Sequence, residues 1–229
     1  MSQLLARTIS TITGDPILVA VSGHTGMMSC NRKTGPIPQI WILPADIEPN
    51  RAVKTGHDRA VCGDCPRRWS VARANGLEPC YVVPYKAPLT IWRQVQGQSL
   101  QPVGKLADIC PPSRHPTIRV GAYGDPGAVA PDVWAWLLDG YRGRVLSYTR
   151  HYWRDDLRQW SMASVDNQQQ AQAVAATGWR YFRVSEGTPT VGAGERVCPA
   201  STGPTTCAVC RQCRGAAGTS ARSIVIQSH

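Results

Sequence analysis

The chain has 229 residues, 42% of them hydrophobic and 17% charged, a length that suits one domain and a core burying roughly 70% of the unfolded surface without help from disulfides or metals. No run of about 18 uninterrupted apolar residues occurs, which excludes a transmembrane helix, and the apolar fraction excludes wholesale disorder. Twenty-five Lys and Arg against fifteen Asp and Glu give a net charge of +10, with 21 Arg against 4 Lys. The planar Arg fork holds phosphate bidentately, so nucleic acid is an expected partner.

In chain order, residues 1–13 hold one Arg and no leader pattern, so the expected location is the cytoplasm, with no membrane association. Residues 17–21 and 40–43 are short apolar runs that predict strands, and 88–96 predicts a helix. Residues 117–123 predict a buried strand ending at Gly124-Asp125-Pro126. Residues 131–138 predict a helix that stops at Gly140, and 144–148 and 160–165 predict strands. Asp166 or Asn167 caps a helix over 168–176, which Gly178 ends in the left-handed conformation. Strands follow at 180–184 and 223–227. Residues 44–80 and 186–222 are rich in Pro and Gly and predict two long functional loops, both bearing cysteines.

Strands alternating with helices predict an α/β single domain, 1–229, with a parallel sheet and right-handed connections. Two arrangements satisfy this: an open doubly wound sheet, or a (βα) barrel or partial barrel. The barrel is preferred, because no Gly-rich dinucleotide turn follows the first strand. Polar residues also recur at predicted strand C-termini: Asp125, Thr149 with His151, Asp166, and Ser185 with Glu186. Barrels gather those ends at one mouth, where chemistry sits.

Nine cysteines in a chain without a secretion signal point to metal or redox ligands rather than disulfides. Cys62 and Cys65 form a C-x2-C knuckle, Cys80 follows after fourteen residues, and Cys30 upstream is a candidate fourth partner. Cys198, Cys207, Cys210 and Cys213 are spaced C-x8-C-x2-C-x2-C, leaving Cys110 over. Four sulfurs satisfy tetrahedral zinc or a 4Fe-4S cubane alike, but the C-x2-C-x2-C run is more typical of iron–sulfur proteins. If only three cysteines hold the first centre, its open position is where substrate binds; the alternative is a closed structural zinc.

Asp125, His151 and Asp166 are the candidate catalytic residues. Asp125 reads either as a base, nucleophile or substrate ligand, or as a plain turn residue. His151 reads as a proton shuttle or ligand, or as a solvated loop histidine, with Tyr152 and Trp153 beside it to stack a base. Arg180 and Arg183 are candidates to hold phosphate or a carboxylate. Asn31-Arg32-Lys33-Thr34-Gly35 is no phosphate loop, because the preceding Gly is misplaced.

Taken together, the Asn31 to Gly35 motif, Cys62 to Arg67, Cys80-Tyr81-Val82, Gly124-Asp125-Pro126, Ser147-Tyr148-Thr149 with Trp153, Met162 to Asp166, Gly178-Trp179-Arg180 with Phe182-Arg183-Val184, Cys198-Pro199-Ala200 and the final cysteine run resemble a functionally uncharacterised family encoded mostly by bacteriophages and mobile elements. The likeness spans about the whole chain. More distantly the chain is similar to radical-SAM-type barrels, in which a cysteine motif ending in Cys-Tyr precedes a series of βα units. That resemblance implies an iron–sulfur cluster and S-adenosylmethionine, although C-x2-C-x14-C stands here in place of C-x3-C-x2-C. A third resemblance is to tRNA-guanine transglycosylases and their phage DNA-modifying relatives, which combine a βα barrel, an Asp nucleophile and a zinc held by three Cys and one His. Cys207, Cys210, Cys213 and His229 stand where that zinc site would be, at different spacings.

The expectation is therefore a phage-type protein with iron–sulfur or zinc centres, acting in nucleic-acid metabolism or modification. The first centre would face the barrel mouth and the second would serve structure or electron transfer. The alternatives are a non-enzymatic zinc protein that binds nucleic acid, and a transglycosylase-like base-modifying enzyme.

Overall fold

The computed structural model describes residues 2–25, 31–98, 105–141, 143–216 and 222–227. Strand β1 (Gln3–Ile9) turns through residues 10–15 into β2 (Pro16–Ser22), and β2 pairs with β3 (Gln39–Pro44), both antiparallel. A turn of that length cannot make the crossover that parallel pairing needs, so β1 and β2 depart from the parallel expectation, and β2 with β3 departs from it as well. From β3 onward all pairing is parallel. The strands are β4 (Ile118–Val120), β5 (Val145–Thr149), β6 (Met162–Val165), β7 (Tyr181–Ser185), β8 (Glu195–Val197) and β9 (Ser223–Gln227). Their order is β1-β2-β3-β4-β5-β6-β7-β9-β8, so the last strand slots between β7 and β8. The fold is mixed α/β, with a nine-stranded, mostly parallel sheet that is not closed.

The helices are α1 (Pro49–Thr55), α2 (Arg59–Cys62), α3 (Ala87–Val95), α4 (Leu106–Ile109), α5 (Pro131–Leu137), α6 (Gln168–Ala176), α7 (Pro199–Thr202) and α8 (Cys207–Cys210). Helix α6 starts and stops as its sequence dictates. The Asn167 side chain accepts from the Gln170 N–H at 2.8 Å, and Gly178 takes φ +81° two residues past the end. No helix of the described residues is long and apolar enough to cross a membrane.

Side-chain alternation along the strands splits the core in two. Val145, Ala163 and Tyr181 face the larger cluster, where α3, α5 and α6 contribute Ile91, Val95, Trp134, Leu137 and Val174. Their neighbours Leu146, Met162 and Ile224 face the opposite side, where they pack with Cys198, Ala200 and Cys213. Helices α3, α5 and α6 thus fill one face of the sheet, and the C-terminal cysteines lie on the other with α7 and α8.

The two expected loops are not featureless: α1 and α2 lie within 44–80, and β8, α7 and α8 within 186–222. Elements of three to seven residues are too short to show a hydrophobic period. Arg183 does hold a carboxylate, but the protein's own. It forks onto Glu195 at 2.8 and 2.7 Å, with the two side chains 6% and 0% exposed. Arg180 is likewise spent internally, donating to the carbonyls of Gln212 and Arg222 at 2.9 and 2.7 Å and to those of Arg214 and Gly215. Neither matches the phosphate reading of the sequence. Cys110 is fully buried behind the sheet, where burial pushes its thiol up to about 12.

Candidate metal centres and cavity

The turn after β4 is made by Gly124, at φ +80°, where an added Cβ would stand 2.6 Å from the Ile42 carbonyl oxygen. It delivers Asp125 to the strand ends. The Asp125 carboxylate accepts from the Gly127 N–H at 2.7 Å, from Thr149 Oγ1 at 2.6 Å and from the Arg150 N–H at 2.6 Å. His151 Nδ1 lies 3.1 Å from the same carboxylate but off the line of a hydrogen bond. Asp125 thus sits in a turn, as one reading of the sequence had it, and it also ties the segment after β4 to the end of β5. His151 is 6% exposed rather than solvated. Its ring fills the space between Gly63 and Gly127, where a Cβ would come within 2.5 and 2.4 Å of it. Trp153 is exposed and stands edge-on to the ring, centroids 4.8 Å apart.

Gly63 belongs to the first cysteine motif. Cys62 ends α2, Cys65 follows on the turn, and the Cys80 N–H donates to the Arg67 carbonyl at 2.8 Å, which folds the distant third cysteine back. Trp69 Nε1 clamps that return, donating to the carbonyls of Cys80 and Val82 at 2.9 and 3.1 Å. All three sulfurs open onto one cavity of about 540 Å³. Burial first, then the neighbouring Cys65 and Cys80, push the Cys62 thiol well up. The carboxylate of Asp58, 1% exposed, is held by Arg68 at 3.0 Å and by Ser70 at 2.8 and 3.0 Å. The candidate fourth partner, Cys30, lies outside the described residues, as does His229. Cys110, the other candidate, stands apart from the described sulfurs: it lies in the larger core cluster, and burial alone raises its thiol.

The second group forms where the C-terminal segment meets residues 31–35. The N–H groups of Cys207 and Ala208, at the start of α8, donate to the carbonyls of Lys33 and Thr34 at 2.8 and 3.0 Å. The Cys198 N–H donates to Val225 of β9 at 2.9 Å, and the Cys213 carbonyl accepts from Ser147 of β5 at 3.3 Å. Cys198, Cys207, Cys210 and Cys213 together line a cavity of about 10 Å³. Burial pushes the Cys213 thiol up to about 12, the Tyr148 hydroxyl opposes the shift, and the other three sulfurs add to it. The eight described cysteines are all free. As the side chains stand, no three His, Cys, Asp or Glu among the described residues form a ready-made single-ion site. The sulfurs are neighbours around two spaces rather than ligands already drawn onto one point.

Asp166 is bound by two guanidiniums, Arg150 through a fork and Arg67 at 3.3 Å. Burial would raise its carboxyl, but these arginines outweigh it and hold it below the usual carboxylate range. That arrangement suits Asp166 to orient Arg67 and Arg150 rather than to move a proton. The sequence reading missed Arg119 and Tyr123, both on the cavity wall. A signal existed: Arg119 stands between Ile118 and Val120, so alternation turns a charge away from the helix-covered face. No protein-family model matches the chain, no curated protein matches it, and no solved structure matches it.

Proposed function

We propose that the chain is an iron–sulfur enzyme of nucleic-acid metabolism or modification, belonging to the bacteriophage-borne family its motifs resemble and built as a radical-SAM-like partial barrel. In this reading Cys62, Cys65 and Cys80 hold the reacting cluster, and S-adenosylmethionine is the co-substrate that the resemblance supplies. One observation carries the proposal: two groups of sulfurs, gathered from distant loops, border a single cavity, which Cys62, Cys65, Cys80, Cys198 and Cys207 all line. Its volume is that of a ligand site, and it reaches residues of β4, β5, β6, β7 and β9 at once, which supports the partial-barrel geometry. Cys62, Cys65 and Cys80 would hold such a cluster by three sulfurs, and the chemistry it would supply there is an open binding position and an electron. Around that opening Asp125 fixes the strand-end loops, His151 wedges the Cys62 to Cys65 turn, and Asp166 aims Arg67 and Arg150.

A second reading concerns the C-terminal group. The space among its four sulfurs has room for about one small atom, which suits a structural zinc better than a cubane.

Protein made and purified without air tests both readings. The expected result is a brown solution with broad absorbance near about 400 nm that bleaches on reduction, and about four irons and four sulfides for each centre filled. Cys62→Ser with Cys65→Ser should remove one centre's metal, and Cys210→Ser with Cys213→Ser the other's. A colourless protein with about two zinc per chain would replace the enzyme by a zinc-stiffened nucleic-acid-binding module, and one zinc per chain by a transglycosylase-like enzyme. Protein free of metal would remove the proposal.

A further inference from the structure

Four arginines line the large cavity, and three of them already hold a carboxylate: Arg67 and Arg150 share Asp166, and Arg68 holds Asp58. Arg119 is the exception. Among the described residues no carboxylate pairs with it. Its Nη2 donates to the Tyr81 hydroxyl, and its Nε is buried with no partner. A guanidinium stays charged at every accessible pH, so a half-buried one with no carboxylate paired to it favours an anion at its side. A second orphan lies on the same wall. Tyr123 is 6% exposed, and its hydroxyl is buried without a partner beside Cys62, Asp58 and Cys80. Between these polar points the lining is aromatic. Tyr148 and Phe182 pack with ring centroids 4.3 Å apart, and Tyr81 and Trp69 complete the wall. Flat aromatic surfaces with one guanidinium receive planar rings that carry an acidic group.

We propose that the cavity takes a flat, base-sized ligand bearing one acidic group, phosphate or carboxylate, with that group on Arg119 and the ring against Tyr81, Tyr148 and Phe182. This deepens the proposed function, since it rests on the cavity being the site of reaction, and it names the class of molecule that enters. The Arg119 charge is also felt by both sulfur groups, through Cys80 of the first and Cys207 of the second. A ligand anchored there spans the space that both centres border.

Calorimetric titration of the anaerobically purified protein tests the assignment with three probes: adenosine 5′-monophosphate, S-adenosylhomocysteine and adenosine. Wild-type protein should bind at least one of the two acidic probes tenfold or more tightly than adenosine, and that comparison needs no variant. Arg119→Met should abolish the preference while leaving the iron or zinc content unchanged. If the preference lost is for the monophosphate, the acidic group is a phosphate; if it is for S-adenosylhomocysteine, it is a carboxylate. Equal binding of all three probes by the wild type, no binding of any, or an unchanged preference in Arg119→Met would each overturn the assignment. So would loss of metal from Arg119→Met, which would make the guanidinium a counter-charge to bound thiolates. A metal-free wild type that still prefers an acidic probe through Arg119 would refute the iron–sulfur reading and leave this one standing.

Discussion

Glu195→Ala should destabilise the fold by about 3–5 kcal/mol, because it leaves the Arg183 guanidinium buried without its counter-charge. Arg183 stands on β7 and Glu195 opens β8, and Glu195 also accepts from the Gly192 N–H at 2.7 Å, so the carboxylate organises the approach to β8 as well. Urea unfolding measures the effect. The double variant Arg183→Met with Glu195→Ala should recover much of the loss, since no lone charge is then buried; a double variant as weak as the single one would assign the damage to lost packing instead. The pair also sets an acid limit. Burial would raise the Glu195 carboxyl, but the Arg183 fork and the Gly192 N–H outweigh it and hold it below its usual value. A carboxyl depressed in the folded state stabilises fully above its unfolded value, near about 4.3 for Glu, and that share is lost as pH falls through the lower folded value. Asp166, depressed by Arg150 and Arg67, acts in the same direction. Stability should therefore fall as the solution is acidified below about pH 4.3, and Glu195→Gln should flatten part of that fall.

Gly215→Ala should be nearly as damaging, for a steric reason. A Cβ there would stand 2.3 Å from the Arg158 carbonyl oxygen and 2.7 Å from both the nitrogen and the oxygen of Ser161. All three are main-chain atoms of a packed turn, so no rotamer change relieves the clash. Overpacking of this kind costs about 1–3 kcal/mol, and at this chain length each kcal/mol lowers the melting temperature by roughly 2–4 °C. The shift would also move Cys213, two residues earlier, whose carbonyl is fixed to Ser147. Metal analysis of Gly215→Ala should show the second centre emptied and the first retained. Gly97→Ala, which meets nothing within 4 Å, is the matched control and should change neither.

Where the sequence was readable, a single local cause usually dominated. Helix α6 and strand β9 fall at the expected residues, the first because Asn167 and Gly178 punctuate it, the second because an apolar β-branched run leaves little choice. Strand β1 escaped notice because the outer half of an edge strand is only partly buried and its hydrophobic alternation fades, as Ala6 to Ile9 show. The candidate site was legible by residue type and not by contact. Asp125 and His151 were found at strand ends, but not the Thr149 and Arg150 N–H groups that pin Asp125, nor the two glycines that enclose the imidazole. The Arg183–Glu195 pair was unreadable for the same reason: the partners stand on different strands, linked by an irregular connection, and no local rule joins them.

The clasp between Lys33–Thr34 and Cys207–Ala208 orders events in time. A growing polypeptide exposes the first half of that clasp long before the second half emerges. The final strand, which seats Cys198, arrives later still. Contacts this remote in sequence form slowly. The nest of Cys198 to Cys213 therefore assembles late in folding, and a chain truncated before Ser223 would leave those thiols apart.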